Sequence, residues 1–187
     1  MRQTIWLAVL SLVLSAVAAT AQEMKQGGDA GEERRESKSL SAEEVELLLN
    51  GHGMGLAKAA ELNRYPGPRH VLELANELQL TPEQRTQTQA AFDRMRGEAV
   101  RLGRLIVERE RALDAMFAKG EIDAGKLRAA TSEIARLQGE LRAAHLAAHL
   151  ETRRLLSTQQ ITKYDELRGY ATGRKADEGR GHAHGKH

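Results

Sequence analysis

The chain has 187 residues, with 28 Lys and Arg against 26 Asp and Glu, and it contains no cysteine. A formal net charge of +2, spread over both signs, does not fit a polybasic nucleic-acid-binding protein, so we expect no nucleic-acid partner. Without cysteine, the chain forms neither disulfides nor thiolate metal sites.

The first 21 residues have the pattern of a secretory signal peptide. Arg2 supplies the positive charge, residues 5–17 are apolar, and Ala19-Thr20-Ala21 is a small-x-small cleavage site. An uncleaved membrane anchor is the alternative, but the apolar run is shorter than the ~20 residues that a span needs. We therefore expect a periplasmic protein with no membrane span after cleavage, which removes Arg2 and lowers the formal net charge from +2 to +1.

A helical domain is predicted for residues 41–170, after a polar segment at 22–40 whose lack of apolar periodicity predicts a disordered linker. Ser41-Ala42-Glu43-Glu44 is a capping box that predicts a short helix to Leu49. The sequence Gly-His-Gly-Met-Gly at 51–55 is typical of a helix-terminating turn. It is no phosphate loop, because no Gly-Lys-Ser/Thr follows. Apolar spacing predicts a second short helix over residues 69–79.

Two long amphipathic helices are predicted next, from Pro82 to about residue 119 and from a cap at Asp123 to about residue 155. The short turn between them predicts an antiparallel hairpin, and hence an all-α fold with short flanking helices. A last helix begins at Ser157, and residues 171–187 are predicted to be a disordered tail that contains histidines. The apolar stripes of the two long helices are Phe92, Met95, Ala99, Leu102, Ile106, Leu113 and Met116, and Leu127, Ala130, Ile134, Leu137, Leu141, Ala144, Ala148 and Leu155.

Two similar motifs precede the first long helix and the last helix: Leu80-Thr81-Pro82-Glu83-Gln84 and Leu156-Ser157-Thr158-Gln159-Gln160. Each is a predicted capping box in which Thr81 or Ser157 accepts from a helix N–H while Gln84 or Gln160 reaches back three residues. Two such boxes at equivalent places indicate a repeated helical unit.

An exported helical chain with two Leu-Thr-x-x-Gln-type boxes resembles the Spy/CpxP family of periplasmic stress proteins, which includes the ZraP and CnrX types. The segment 148–152 is similar to the same region of Spy. The resemblance implies a four-helix bent hairpin, a curved homodimer, and a cupped surface that holds unfolded clients without ATP. The alternative that it implies is a heavy-metal (Zn, Ni, Co or Cu) binding protein, or a sensor with an envelope signalling partner.

A client-binding surface is expected on the first long helix, where arginines alternate with acidic and apolar residues. A solvated face of an ordinary helical protein is the alternative. The candidate client-binding residues are Arg94, Arg101, Arg104, Met95 and Leu102.

Histidines are the candidate metal ligands. His145 and His149 lie four apart, one above the other on a helix face, where such a pair can chelate an ion. Arg142 and Arg153 flank the pair and oppose a divalent cation, and two partly exposed histidines beside the hairpin seam are the alternative. Further candidate ligands are His70, His52 and Met54, and the tail histidines His182, His184 and His187, which can hold Zn, Ni or Cu weakly.

No combination of residues in the sequence indicates catalysis. There is no cysteine nucleophile, no Ser/His/Asp grouping, and no His-Glu-x-x-His motif, because Leu146 follows His145. We expect a protein that is not an enzyme and requires no cofactor.

Overall fold

The structure, a computed structural model, describes residue 35 and residues 37–170. Every regular element in that part of the chain is an α-helix, which confirms the predicted all-α fold. The predicted signal peptide, most of the predicted linker and the predicted tail lie outside the described residues. The helices are α1 (Ala42–Leu49), α2 (Lys58–Glu61), α3 (Pro68–Glu73), α4 (Pro82–Ala118), α5 (Ala124–Leu155) and α6 (Thr158–Leu167).

Helices α4 and α5 form the predicted antiparallel hairpin. The 37 residues of α4 span about 56 Å at the usual rise per residue. The turn ends at Asp123, whose side chain accepts from the Lys126 N–H and caps α5. Buried Leu102 and Ile106 of α4 pack in one cluster with Leu137 of α5. The hairpin is thus held by its predicted apolar stripes.

Helix α1 lies across α4 at a close approach. A Cβ added at Gly103 would stand 2.1 Å from the backbone oxygen of Leu48, so only glycine fits there. The residues just before α1 also contact α4, since Lys38 pairs with Asp114 at 3.1 Å. The predicted disorder of the linker is therefore wrong for residues 37–40.

A second cluster joins α3, the turn after it and α6, with Val71, Ile161 and Tyr164 buried. Here the predicted helix 69–79 is too long, because α3 ends at Glu73. The backbone of Gln79 has a φ of 52°, which reverses the chain and places Leu80 in the cluster. Helix α2 was not predicted.

The two predicted capping boxes are confirmed, and they also meet each other. The side-chain amides of Gln84 and Gln160 form two reciprocal hydrogen bonds of 3.0 Å. Each amide also donates to a backbone oxygen of the other unit, Gln84 to Leu155 at 2.7 Å and Gln160 to Leu78 at 3.2 Å. The repeated motif thus links the starts of α4 and α6.

The far end of the hairpin is less covered. Phe117 is 54% exposed and Leu127 is 39% exposed, although Leu127 belongs to a predicted apolar stripe. Between residues 37 and 170, no helix has both the length and the apolar character needed to cross a bilayer.

Candidate metal-binding cavity

A cavity of about 790 Å³ lies between the loop of residues 50–57, α2, the start of α3, and facing sides of α4 and α5. Helix periodicity brings the hairpin residues there, and the glycine-rich loop after α1 closes one side. All four histidines in the described part of the chain line this cavity, as do the thioethers Met54 and Met95. The four histidines are His52, His70, His145 and His149.

His145 is the most deeply placed of these donors. It is 5% exposed, and its Nε2 atom has no hydrogen-bond partner. Burial lowers the pKa of His145, and the neighbouring His149 lowers it further. A neutral imidazole is the form that binds a metal ion.

His149 lies one helical turn further along α5 and is oriented by the backbone. Its Nδ1 atom is 2.7 Å from the Tyr65 carbonyl oxygen, which only accepts, so Nδ1 carries the proton and donates. That leaves Nε2 for another partner. A Cβ at Gly67 would stand 2.9 Å from this Nε2 atom, so a larger residue there would displace the ring.

Glu61, the one carboxylate in the cavity lining, already has several partners. Its Oε1 atom accepts from the hydroxyls of Tyr164 at 2.5 Å and Tyr170 at 3.1 Å, and its Oε2 atom accepts from the Gly67 N–H at 3.1 Å. Burial raises the pKa of both tyrosines, and the Glu61 carboxylate adds to the shift, so both hydroxyls stay protonated donors. Glu61 therefore connects α2 to α6 rather than standing open as a ligand.

His70 and His52 complete the set at the edge of the cavity. His70 Nδ1 lies 2.8 Å from Glu73 Oε2 on its own helix, and this hydrogen bond lowers the pKa of Glu73. His52 is exposed on the loop. Within residues 37–170, no three His, Asp or Glu side chains stand close enough together to hold an ion. The histidines thus line one cavity without forming a complete coordination shell for an ion.

The cations around the cavity differ from those predicted. Arg142 does not line it, nor does Arg153, whose guanidinium lies 6.0 Å from the Tyr65 ring centre. The basic residues that do line it are Lys58, Arg69, Arg96 and Arg168.

The predicted client-binding residues differ in their burial. Leu102 is fully buried, so this prediction is wrong for the folded chain, and Met95 is half-buried at the cavity. Arg94 pairs with Glu151 across the hairpin, and Arg101 pairs with Glu98 on its own helix. Arg104 is exposed. The tail candidates His182, His184 and His187 lie outside the described residues.

Sequence reasoning missed Glu61 and its two tyrosine partners. The segment around Glu61 was predicted to be a turn, and Tyr164 and Tyr170 lie about a hundred residues further along the chain. The sequence holds one signal of this contact. Aromatic residues are few in the chain, and two of them, Tyr164 and Tyr170, lie close together near the end of the domain.

A family model described as heavy-metal resistance matches residues 45–163, which is more than half of the chain. The comparisons with curated proteins and with solved structures gave no match. The matched region includes α2 to α5, most of α6 and all four histidines of the cavity. The resemblance noted from the sequence is thereby confirmed: the chain belongs to the heavy-metal resistance family, the family of Spy/CpxP/ZraP/CnrX-type helical proteins.

Proposed function

We propose that this protein binds a transition-metal ion in the histidine-lined cavity, as a periplasmic metal-binding or metal-sensing protein. One observation carries the proposal: four histidines from three separate segments line one cavity, and a buried Nε2 among them, that of His145, has no partner. A buried polar atom without a partner is costly unless something else satisfies it. A bound ion satisfies it, and the family description points to the same chemistry.

His145 and His149 are the residues that would hold the ion. The Nδ1–H of His149 donates to the Tyr65 carbonyl, which is the usual way in which the second nitrogen of a metal-binding imidazole is oriented. His52 is the third candidate, because it is exposed on a glycine-rich loop and can turn toward the pair. The protein's own contribution is to bind and enclose the ion, with no catalytic step.

The test is calorimetry with Zn, Ni, Co and Cu on the chain from residue 22 onward. A tail variant with Asn at positions 182, 184 and 187 separates the cavity from the tail. We expect the tail variant to bind one ion per chain. Adding His145→Gln should weaken the affinity for that ion at least about tenfold. Gln138→Ala, on the exposed side of α5, is the matched control and should change nothing. Equal heats from His145→Gln and the unaltered cavity, or no heat at all, would refute the proposal.

A chaperone is the second candidate, favoured by the exposed apolar end of the hairpin. Phe117 and Leu127 are large apolar side chains left in solvent there, a feature suited to loose contact with unfolded clients. The protein should then suppress the aggregation of denatured clients, and Phe117→Ser with Leu127→Ser should lose that effect without losing helix. Unchanged light scattering with the unaltered protein would exclude this role. A homodimer or an envelope signalling partner is compatible with either function, and ultracentrifugation and crosslinking test for them.

A further inference from the structure

We propose that the ion preferred by the cavity is soft and monovalent, Cu(I) with Ag(I) as its analogue, held by the His145 imidazole together with the thioethers of Met54 and Met95. This inference rests on the proposed metal-binding function and names its ion class. Three independent features of the cavity support it: the donor types, the state of the carboxylate and the surrounding charge.

The first feature is the pair of thioethers. Met54 lies on the loop after α1 and is 41% exposed, while Met95 is half-buried on α4, and both line the cavity with His145. Thioether sulfur is a soft ligand that selects Cu(I), and it contributes little to hard or borderline ions. Met54 stands between Gly53 and Gly55, so the loop can adjust its position at little steric cost.

The second feature is the state of Glu61. Both of its oxygens already accept hydrogen bonds, from Tyr164, Tyr170 and the Gly67 N–H. Both tyrosine hydroxyls donate to Oε1, so an ion on that atom would compete with them in a largely buried place. The other donors that the cavity offers are nitrogen and sulfur, and three His, Asp or Glu side chains do not converge anywhere in the described chain. A soft ion that accepts a low coordination number suits this set.

The third feature is the positive charge around the cavity. Lys58, Arg69, Arg96 and Arg168 line it against Glu61 alone, and Glu73 pairs with Arg69 just outside. Coulomb repulsion scales with the charge of the ion, so a divalent ion meets twice the repulsion of a monovalent one at the same position. The electrostatic repulsion that a Zn or Ni ion would meet in the cavity is thus halved for Cu(I) or Ag(I).

The experiment uses the chain from residue 22 onward with Asn at positions 182, 184 and 187, so that the tail contributes no imidazole. Silver nitrate, anaerobic Cu(I) buffered with bicinchoninate, and Zn are titrated, and X-ray absorption of the Cu(I) form reports sulfur in the coordination shell. Met54→Leu and Met95→Leu conserve volume while removing the sulfur, and Met116→Leu near the end of α4 is the matched control.

We expect Cu(I) and Ag(I) to bind more tightly than Zn, and Met54→Leu or Met95→Leu to weaken them at least about tenfold without changing Zn binding. Met116→Leu should bind like the unaltered chain. If Zn binds through His145 and the two leucine variants leave Ag(I) affinity unchanged, the soft-ion proposal is overturned while the metal-binding function stands. If no ion binds, both fail.

Discussion

The reciprocal pair of Gln84 and Gln160 is the contact through which the repeated motif should act on stability. Replacing Gln84 with Ala removes four hydrogen bonds at once. The lost donations go to the Leu155 carbonyl at 2.7 Å and to Gln160 Oε1 at 3.0 Å. Gln84 Oε1 also no longer accepts from the Thr81 N–H and from Gln160 Nε2, both at 3.0 Å.

The expected cost follows from the position of these bonds. Each hydrogen bond contributes about 1 kcal/mol net, and the pair is half-buried, so water replaces some of what is lost. The Thr81 hydroxyl still caps α4 through the Gln84 backbone N–H at 3.1 Å, and that contact survives the substitution. We therefore expect Gln84→Ala to lower the free energy of unfolding by about 2–3 kcal/mol.

Urea unfolding followed by circular dichroism measures this loss as a fall of about 1 M in the midpoint. The control is Gln87→Ala, because Gln87 bonds only to exposed Glu83 one turn away and should cost less than about 0.5 kcal/mol. A double-mutant cycle with Gln160→Ala should give a coupling of about 1 kcal/mol or more between the two glutamines. Equal losses in Gln84→Ala and Gln87→Ala, or an additive cycle, would refute the reasoning.

Three further predictions concern packing and pH. Gly103→Ala should destabilise by at least about 2 kcal/mol in thermal or urea unfolding, because its Cβ would meet Leu48; Gly97→Ala, with open space around it, should stabilise by about 0.5–1 kcal/mol. Leu102→Ala should cost about 3 kcal/mol, whereas Leu150→Ala, 49% exposed, should cost under about 0.5 kcal/mol, and equal costs would contradict the assigned core. Because burial lowers the pKa of His145, the unfolded chain binds more protons than the folded one, so stability should fall as the pH drops below about 6.5. Melts from pH 7.5 to 5 should show this decline, and His145→Gln should flatten it; a profile unaltered by the substitution would be evidence against the assignment.

The elements that sequence reasoning predicted well are those with local signals. The caps at Ser41, Thr81 and Ser157 depend on residues three positions away, and all three form as capping boxes. The long stripes of α4 and α5 repeat over many turns, so their helical period is unambiguous. Stripe residues near the far end, such as Leu127, are exposed because α1 covers only the other part of the hairpin.

The errors in the fold arise where packing overrides a local pattern. Residues 69–79 have helical spacing, yet α3 stops at Glu73 because the following turn brings Leu78 and Leu80 into the cluster around Tyr164. Nothing in the local spacing distinguishes this turn from a helix. Residues 37–40 have no apolar period, but Lys38 and Ser39 find acidic partners on α4.

Of the candidate site, the ligand types could be predicted but not their grouping. The spacing of His145 and His149 is a helix property and was found from the sequence. That His52 and Met54 line the same cavity as this pair depends on how the loop of residues 50–57 crosses the hairpin, which no short-range pattern encodes.

The glutamine pair and the cavity are joined by a continuous set of contacts. Gln160 fixes the start of α6, one turn before Tyr164, which is fully buried beside Ile161. The Tyr164 hydroxyl donates to Glu61, and Glu61 in turn accepts from the N–H of Gly67, which lies beside the His149 ring. The segment that contains Gly67 also provides the Tyr65 carbonyl, which accepts from Nδ1 of His149. The repeated motif and a candidate metal ligand are thus connected through α6, Glu61 and the segment 65–67.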